Sequence, residues 1–121
     1  MKNLLSIDHI GYAVQDIMTT AQHYIEAGWT LSPVYDEKVQ NTKIAFLHKE
    51  GFTTIELVSP LNDSPSPVDN LLKQGGVQPY HICYVVKDIM QALEDLYEEG
   101  FKPLFMPVES VAMDNHRICY L

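Results

Sequence analysis

The chain repeats part of itself once, and this repeat constrains the fold more than any other feature of the sequence. Residues 8–28, DHIGYAVQDIMTTAQHYIEAG, align with residues 80–100, YHICYVVKDIMQALEDLYEEG, at a single offset of 72 residues. Nine of the 21 aligned positions are identical, and one of them pairs His9 with His81. Matches at one constant offset are typical of an internal duplication of a supersecondary unit. We therefore predict two equivalent modules, each beginning with a strand that carries a histidine.

Both copies continue with a predicted helix. The apolar run ends at Asp16 in the first copy and at Asp88 in the second, and aspartate is a favourable N-cap residue. A helical spacing of apolar side chains follows in each copy. Gly28 and Gly100 then suit the left-handed position at which a helix stops. The two helices are therefore expected to begin and end at equivalent points of the repeat.

Strands are predicted after each helix. In the first copy the apolar runs WTLSPVY, TKIAFLHKE and FTTIELVSP read as strands, and Glu50–Gly51 lies where the last two would form a hairpin. In the second copy FKPLFMPV and HRICYL follow, and nothing is left to match FTTIELVSP. We expect an α+β fold in which two βαβββ modules form a cupped mixed β-sheet with helices on its outer face. The last strand of module two is absent from this sequence, which favours a natural chain that continues past Leu121.

The length of 121 residues predicts one domain, residues 1–121, with a single core. Module one is expected over about 6–59, a linker over 60–78, and the incomplete module two over 79–121. The linker is rich in Pro, Ser, Asn and Gly. It is predicted to contain a short helix, about Val68–Lys73, that is capped by Ser66.

Charge and composition exclude several classes of partner. The net charge of −8 argues against nucleic acid, because phosphate backbones are bound by clusters of Lys and Arg. We expect no membrane partner, since no apolar run is long enough to cross a bilayer, and the amino terminus does not resemble a secretory signal. A cytoplasmic location is the expectation. Cys83 and Cys119 lack CxxC spacing and are predicted to be buried core thiols.

Alternation along the strands separates the histidines from the helix-packing residues. In the first strand, the large apolar side chains share one face, and the other face carries His9, Gly11 and Ala13. By the same alternation, His81 in the second copy points away from the face that packs on the helix. In the run TIELV, Glu56 is a carboxylate among apolar residues, where an unpaired charge would be costly to bury.

These three side chains together predict a metal site. A lone strand histidine is more often structural, but two at equivalent repeat positions, His9 and His81, with Glu56 nearby, are expected if the modules close around one ion. Imidazole and carboxylate suit Zn, Ni, Co, Mn or Fe, and the ligand types do not choose among them. His23 and His48 are expected in solvent. For His116, which opens the last strand, a place at the rim of a pocket is an alternative that the sequence leaves open.

The paired units, opened by DHIGYAV and YHICYVV with IELVSP closing the first, resemble the vicinal-oxygen-chelate superfamily of glyoxalase I, bleomycin-resistance proteins and methylmalonyl-CoA epimerase. The resemblance covers nearly the whole chain, and the central string from KIAFLHKE to YVVKDI is similar to the epimerase branch. It implies metal ligands at His9, Glu56 and His81, with Glu56 also a catalytic acid/base group. It also implies a fourth ligand, a glutamate on an eighth strand, which has no counterpart here.

The resemblance implies a function as well. A divalent ion such as Co, Ni, Zn or Mn would support an isomerase that abstracts a proton next to the thioester carbonyl of a methylmalonyl-CoA-like substrate. Two alternatives remain open: a glyoxalase I-like lactoylglutathione lyase acting on a glutathione adduct, and a non-catalytic member that binds a small molecule or antibiotic. The segment PVESVAMDNHRICYL lacks the glycine-rich loop that epimerases usually have there. Because a sheet of this kind exposes strand edges, we also expect a homodimer.

Overall fold

The computed structural model describes residues 4–104, 106–110, 113 and 116–121. In the first module the strands and helices follow the order expected from the repeat. In the second module the strands after the helix are shorter than expected. In chain order they are β1 (Leu4–Ala13), α1 (Ile17–Glu26), β2 (Thr30–Leu31), β3 (Tyr35–Glu37), β4 (Thr42–His48), β5 (Thr54–Pro60), α2 (Asp69–Gly75), β6 (Gln78–Val86), α3 (Ile89–Glu98), β7 (Val108–Glu109) and β8 (Arg117–Ile118).

Most strands form one mixed sheet, which confirms the α+β prediction. The strand order is β2-β4-β5-β1-β6, and β3 also pairs with β4. Strands β1 and β5 are parallel, whereas β4 and β5 form an antiparallel hairpin. The expected strand WTLSPVY is divided into β2 and β3, both antiparallel to β4. The first module is therefore a βαβββ unit in which one strand is interrupted.

The chain divides into two compact units, of which residues 7–83 form the larger. The core of this unit lies between α1 and the sheet. Burial of apolar side chains on this face supplies the main driving force for docking the helix. The fully buried members are Val14, Ile17, Ala21, Ala45, Leu47 and Leu57, and Tyr12, Tyr24, Trp29, Leu31 and Ile55 pack around them.

The opposite face of the sheet carries the candidate site, and we call it the cup face. It is defined by His9, Gly11 and Ala13 of β1 together with their partners on β5. The parallel register pairs His9 with Thr54, Gly11 with Glu56 and Ala13 with Val58. Because directly paired residues point to the same side of a sheet, Glu56 shares this face with His9. The predicted separation of the histidine face from the helix face is confirmed for module one.

The smaller unit contains residues 84–121 and the first residues of β1. Helix α3 buries Ala92 and Leu96, and β7 pairs with β8 in an antiparallel hairpin. The expected strand FKPLFMPV is wrong over residues 101–104, which belong to no strand. Pro103 and Pro107 lie within FKPLFMPV, and proline lacks the backbone N–H that pairing in a β-sheet requires. The amide of Leu104 instead donates to the carbonyl of Tyr120, at 2.7 Å.

The helix boundaries confirm the repeat but correct the linker. Asp16 caps α1 and Asp88 caps α3 through their carboxylates, and Gly28 and Gly100 both have positive φ. In the linker, α2 spans Asp69–Gly75 rather than Val68–Lys73, and the Ser66 side chain does not cap it. The hydrogen bond between these two residues has the opposite direction: the Asp69 carboxylate accepts a hydrogen bond of 2.8 Å from the Ser66 amide. Among the described residues, no helix is long and apolar enough to cross a membrane.

Candidate metal centre

Three neighbouring strands bring the predicted ligands together. His9 lies on β1, Glu56 on β5 and His81 on β6, and β1 is the strand between the other two. Each strand contributes one donor side chain to the cup face, so the site is built on rigid sheet rather than on loops. The sequence prediction that these three residues converge agrees with their placement in the structure.

The donor atoms of the three side chains have the separations that a bound ion requires. His9 Nε2 lies 3.1 Å from His81 Nε2 and 3.5 Å from Glu56 Oε2, while His81 Nε2 lies 3.1 Å from Glu56 Oε1. A divalent ion that holds N and O donors at about 2.0–2.2 Å separates adjacent donors by roughly 3.0–3.5 Å. Two imidazoles and a carboxylate also form a donor set that first-row divalent metals accept. The residues therefore fit a divalent ion.

Glu56 is the buried acid of this group. Its side chain is only 5% exposed, and Oε1 lies 3.1 Å from His81 Nε2. Burial alone would raise the pKa of Glu56, but hydrogen bonds and charge from His81 and His9 outweigh it and lower the pKa. Glu56 is therefore ionised at neutral pH.

His9 is the most enclosed of the donors, with a side chain only 4% exposed. Burial lowers the pKa of His9, but hydrogen bonds with Cys83 and Glu56, the charge of Glu56 and a hydrogen bond with Asp8 raise it to about 11. In the metal-free protein His9 is thus a protonated partner for the buried carboxylate. Because an ion competes for the same nitrogen, metal binding must release a proton.

Asp8 orients the His9 ring. Its Oδ2 atom lies 2.7 Å from His9 Nδ1, so this nitrogen donates to the carboxylate, and Nε2 points toward Glu56 and His81. A carboxylate behind a metal-binding histidine fixes the ring and raises its basicity. Asp8 is not among the residues predicted from the sequence, although an acid directly before a candidate ligand histidine is a recognisable signal.

Cys83 corrects a second prediction. It is a free, partly exposed thiol rather than a buried core residue. Its sulfur also lies within 4.8 Å of donor atoms of Asp8 and His9. The thiol is thus a neighbour of the site, and it occupies the position of Gly11 in the repeat. Cys119, also expected in the core, is partly exposed as well.

Aromatic rings border the two histidines. The Phe46 ring meets His9 edge-on with centroids 5.5 Å apart, and Phe46 is the direct strand partner of Glu56. The Tyr80 ring meets His81 edge-on at 4.9 Å. These contacts restrict the rotation of both imidazoles and shield the charged group from water, which strengthens electrostatic interactions within it.

The remaining histidines lie outside the triad. His23 is exposed on α1 and His48 is exposed at the end of β4, as predicted. His48 nevertheless has partners, because Nδ1 lies 3.2 Å from the Thr54 hydroxyl and its ring stacks on Phe46. His116 is exposed and bonds to the Met113 carbonyl. Its predicted place at a pocket rim stays a prediction.

The duplicated module, the cupped mixed sheet and the His–Glu–His group define a class. Residues 8–120 match the family model of the Glyoxalase/Bleomycin resistance protein/Dioxygenase superfamily, and the chain belongs to that superfamily.

Methylmalonyl-CoA epimerases are among its relatives. The chain is 32% identical over 102 residues to the ethylmalonyl-CoA/methylmalonyl-CoA epimerase of Cereibacter sphaeroides, covering 81% of this chain and 73% of that protein. The methylmalonyl-CoA epimerase of Mycobacterium tuberculosis superposes with a TM-score of 0.85 at 24% identity, over 97% of this chain and 78% of that one. A hypothetical protein of Bacillus halodurans C-125 gives 0.80 at 30% identity, over 93% and 80%.

Proposed function

We propose that this protein is a metal-dependent epimerase that moves a proton on the carbon next to a thioester carbonyl of a methylmalonyl-CoA-like acyl-CoA. The observation that carries the proposal is the donor set of His9, Glu56 and His81, with separations of 3.1–3.5 Å on the cup face. Within this superfamily, the relative at 32% identity is named an ethylmalonyl-CoA/methylmalonyl-CoA epimerase.

The three donors would hold the ion from one side. His9, oriented by Asp8, and His81 would each present Nε2, and Glu56 would present one carboxylate oxygen. A divalent ion bound there supplies Lewis-acid polarisation of substrate oxygens and so makes the adjacent C–H more acidic. The His81 side chain is 16% exposed, the most of the three donors, so the substrate would approach from the side of His81.

Glu56 would also handle the proton. It is ionised, and Oε2 faces His9 while Oε1 faces His81, so one oxygen can serve as ligand while the other accepts a proton. Its lowered pKa makes it a weak base, which suits a C–H already acidified by a neighbouring ion. Epimerisation then requires an acid on the opposite face of the carbon to deliver a proton there, and the resemblance gives this role to the eighth-strand glutamate that has no counterpart in this sequence.

The choice of an acyl-CoA is supported by the relatives and by the central sequence string. A structure of the Streptomyces coelicolor methylmalonyl-CoA epimerase, 24% identical with a TM-score of 0.81 over 96% of this chain and 86% of that one, contains 2-nitronate-propionyl-CoA. Against the net charge of −8, an anionic substrate would depend on the ion for binding. We therefore expect substrate affinity to fall together with metal affinity.

The test uses protein loaded with Co²⁺ and then with Ni²⁺. Deuterium wash-in at the α-carbon of methylmalonyl-CoA is followed by NMR, alongside the loss of the methylglyoxal–glutathione hemithioacetal. We expect exchange with methylmalonyl-CoA, and exchange lost in Glu56→Gln, which keeps the shape of the side chain but removes its charge. Hemithioacetal turnover without exchange would instead indicate a glyoxalase I-like lyase. Tight ligand binding without either reaction would indicate a binding member.

A further inference from the structure

The contact between Glu56 and His81 is made above a third strand. Strand β6 borders β1, and β5 lies on the other side of β1, so the backbones carrying these two side chains are about 10 Å apart. Their donor atoms nevertheless lie within 3.1 Å. The residue of β1 that pairs with Glu56 is Gly11. The two side chains therefore meet over the one position of β1 that has no side chain.

The space above Gly11 is filled by the His81 ring. A Cβ atom on Gly11 would lie 2.5 Å from His81 Cε1, 2.7 Å from Nε2 and 2.8 Å from Nδ1. Contacts this short are essentially never made by a real Cβ, and a whole imidazole rather than the end of a flexible chain stands in the way. Even a methyl group must displace the ring.

The backbone does not require glycine at this position. Positive φ occurs at Gly28, Gly51, Gly76 and Gly100 but not at Gly11. Alanine is favoured over glycine in a strand because it loses less conformational entropy on folding. The absence of a side chain is thus explained by the ring that lies against it, rather than by a turn or a strained conformation.

We propose that Gly11 is a positioning residue of the metal centre. Because glycine has no side chain, the His81 ring can lie across β1 at this position and reach Glu56 and His9. This inference rests on the proposed function, since it concerns the same three donors. Gly11 would thus determine where the Nε2 atom of His81 can lie. Any side chain at position 11 moves His81 Nε2 away from its partners.

The first experiment measures Co²⁺ affinity of Gly11→Ala by its visible absorption. We expect affinity to fall by about ten- to hundred-fold, as for other changes that misorient a ligand. Gly75→Ala is the matched control. Gly75 also lacks positive φ, and its added Cβ would lie 2.9 Å from Gln78 Nε2, the end of a flexible side chain remote from the donors. The control variant should bind Co²⁺ as the unaltered protein does.

The second experiment separates positioning from a general effect on β1. The thermal midpoint of the metal-free protein is measured for Gly11→Ala, His81→Ala and the double variant. We expect Gly11→Ala to lower the midpoint when His81 is present. In the His81→Ala background the ring is gone, and Gly11→Ala should leave the midpoint unchanged or raise it. A midpoint that falls equally in both backgrounds overturns the proposal.

The outcomes also distinguish this inference from the function on which it rests. Loss of Co²⁺ binding in His81→Ala with full binding in Gly11→Ala overturns the positioning role alone. Unchanged Co²⁺ binding in His81→Ala overturns the metal site and the positioning role with it. NMR of the metal-free Gly11→Ala protein gives an independent reading, because the His81 ring resonances should shift far more than those of His23.

Discussion

The two histidines that open the modules occupy the same place in the repeat but are held in different ways. His9 is fixed by polar contacts: Asp8 Oδ2 lies 2.7 Å from its Nδ1 atom, and Glu56 Oε2 lies 3.5 Å from its Nε2 atom. It is nearly fully buried, and its charge is balanced by Glu56. Its position therefore depends on electrostatics in a group with little access to water.

Close packing contributes to the position of His81. Tyr80, which takes the repeat position of Asp8, packs its ring against the imidazole at 4.9 Å. Gly11, which takes the repeat position of Cys83, leaves room for the ring over β1. The His81 side chain is 16% exposed, compared with 4% for His9. The two copies thus keep the donor nitrogen but place different residues before the histidine and at the strand position facing it, Asp8 and Cys83 in one copy and Tyr80 and Gly11 in the other.

This difference shows what the duplication retains. A metal site needs donor atoms at set separations, and any support that gives those separations is sufficient. The supports are free to differ because β1 lies inside the sheet between β5 and β6, whereas β6 lies at the end of the strand order. Substitutions in the two copies should accordingly have unequal effects.

The largest effect is expected from removing the donors themselves. His9→Ala and His81→Ala should each abolish stoichiometric Co²⁺ uptake, measured by metal analysis after dialysis. In the metal-free protein they should differ: His9→Ala removes the buried cation that lies between the carboxylates of Asp8 and Glu56 and should cost about 3 kcal/mol of unfolding free energy in urea. His81→Ala, which removes the more exposed partner, should cost about 1 kcal/mol. Equal costs would contradict the distinction between the two supports.

A pH dependence of the metal-free protein follows from the same pair. The pKa of Glu56 is lowered from 4.5, so its contribution to stability is present above pH 4.5 and is lost as pH falls through the folded-state pKa. The pKa of His9 is raised from 6.5 to about 11, so its contribution is complete below pH 6.5 and is lost as pH rises toward 11. The stability difference between the unaltered protein and His9→Ala should therefore be largest between pH 4.5 and 6.5. A constant difference from pH 4 to 9, in urea denaturation, would contradict it.

Asp8→Asn tests the polar support of His9. The amide keeps the size of the side chain but weakens the hydrogen bond to Nδ1, and changes of this kind cost about 10- to 100-fold in metal affinity. Tyr80→Leu is the equivalent change in the second module, and loss of its ring packing should cost about tenfold or less. Co²⁺ titration of both variants gives the comparison. A larger loss for Tyr80→Leu would mean that His81, rather than His9, anchors the ion.

Much of the site could be predicted from the sequence because its signals are local. The repeat aligned His9 with His81, and strand alternation turned Glu56 to the face of His9. The roles of Gly11 and Cys83 could not be found this way, since they depend on β6 lying beside β1, a pairing between residues distant in the chain. The capping role predicted for Ser66 was wrong because no side chain caps α2, and the Asp69 carboxylate instead accepts from the Ser66 amide, a contact that the sequence does not reveal.

The smallest effect is expected from changing the two helix caps, which have the same function in both copies. Asp16 accepts hydrogen bonds from the amide and hydroxyl of Thr19, and Asp88 accepts from the amides of Met90 and Gln91. Both caps satisfy donors at a helix start, so Asp16→Ala and Asp88→Ala should each lower the thermal midpoint slightly and to a similar extent. Neither should alter Co²⁺ affinity. Asp8→Asn should show the reverse behaviour, with metal affinity falling more than the midpoint. If a cap variant weakened Co²⁺ binding, the supports of the metal centre would extend beyond the side chains on the cup face.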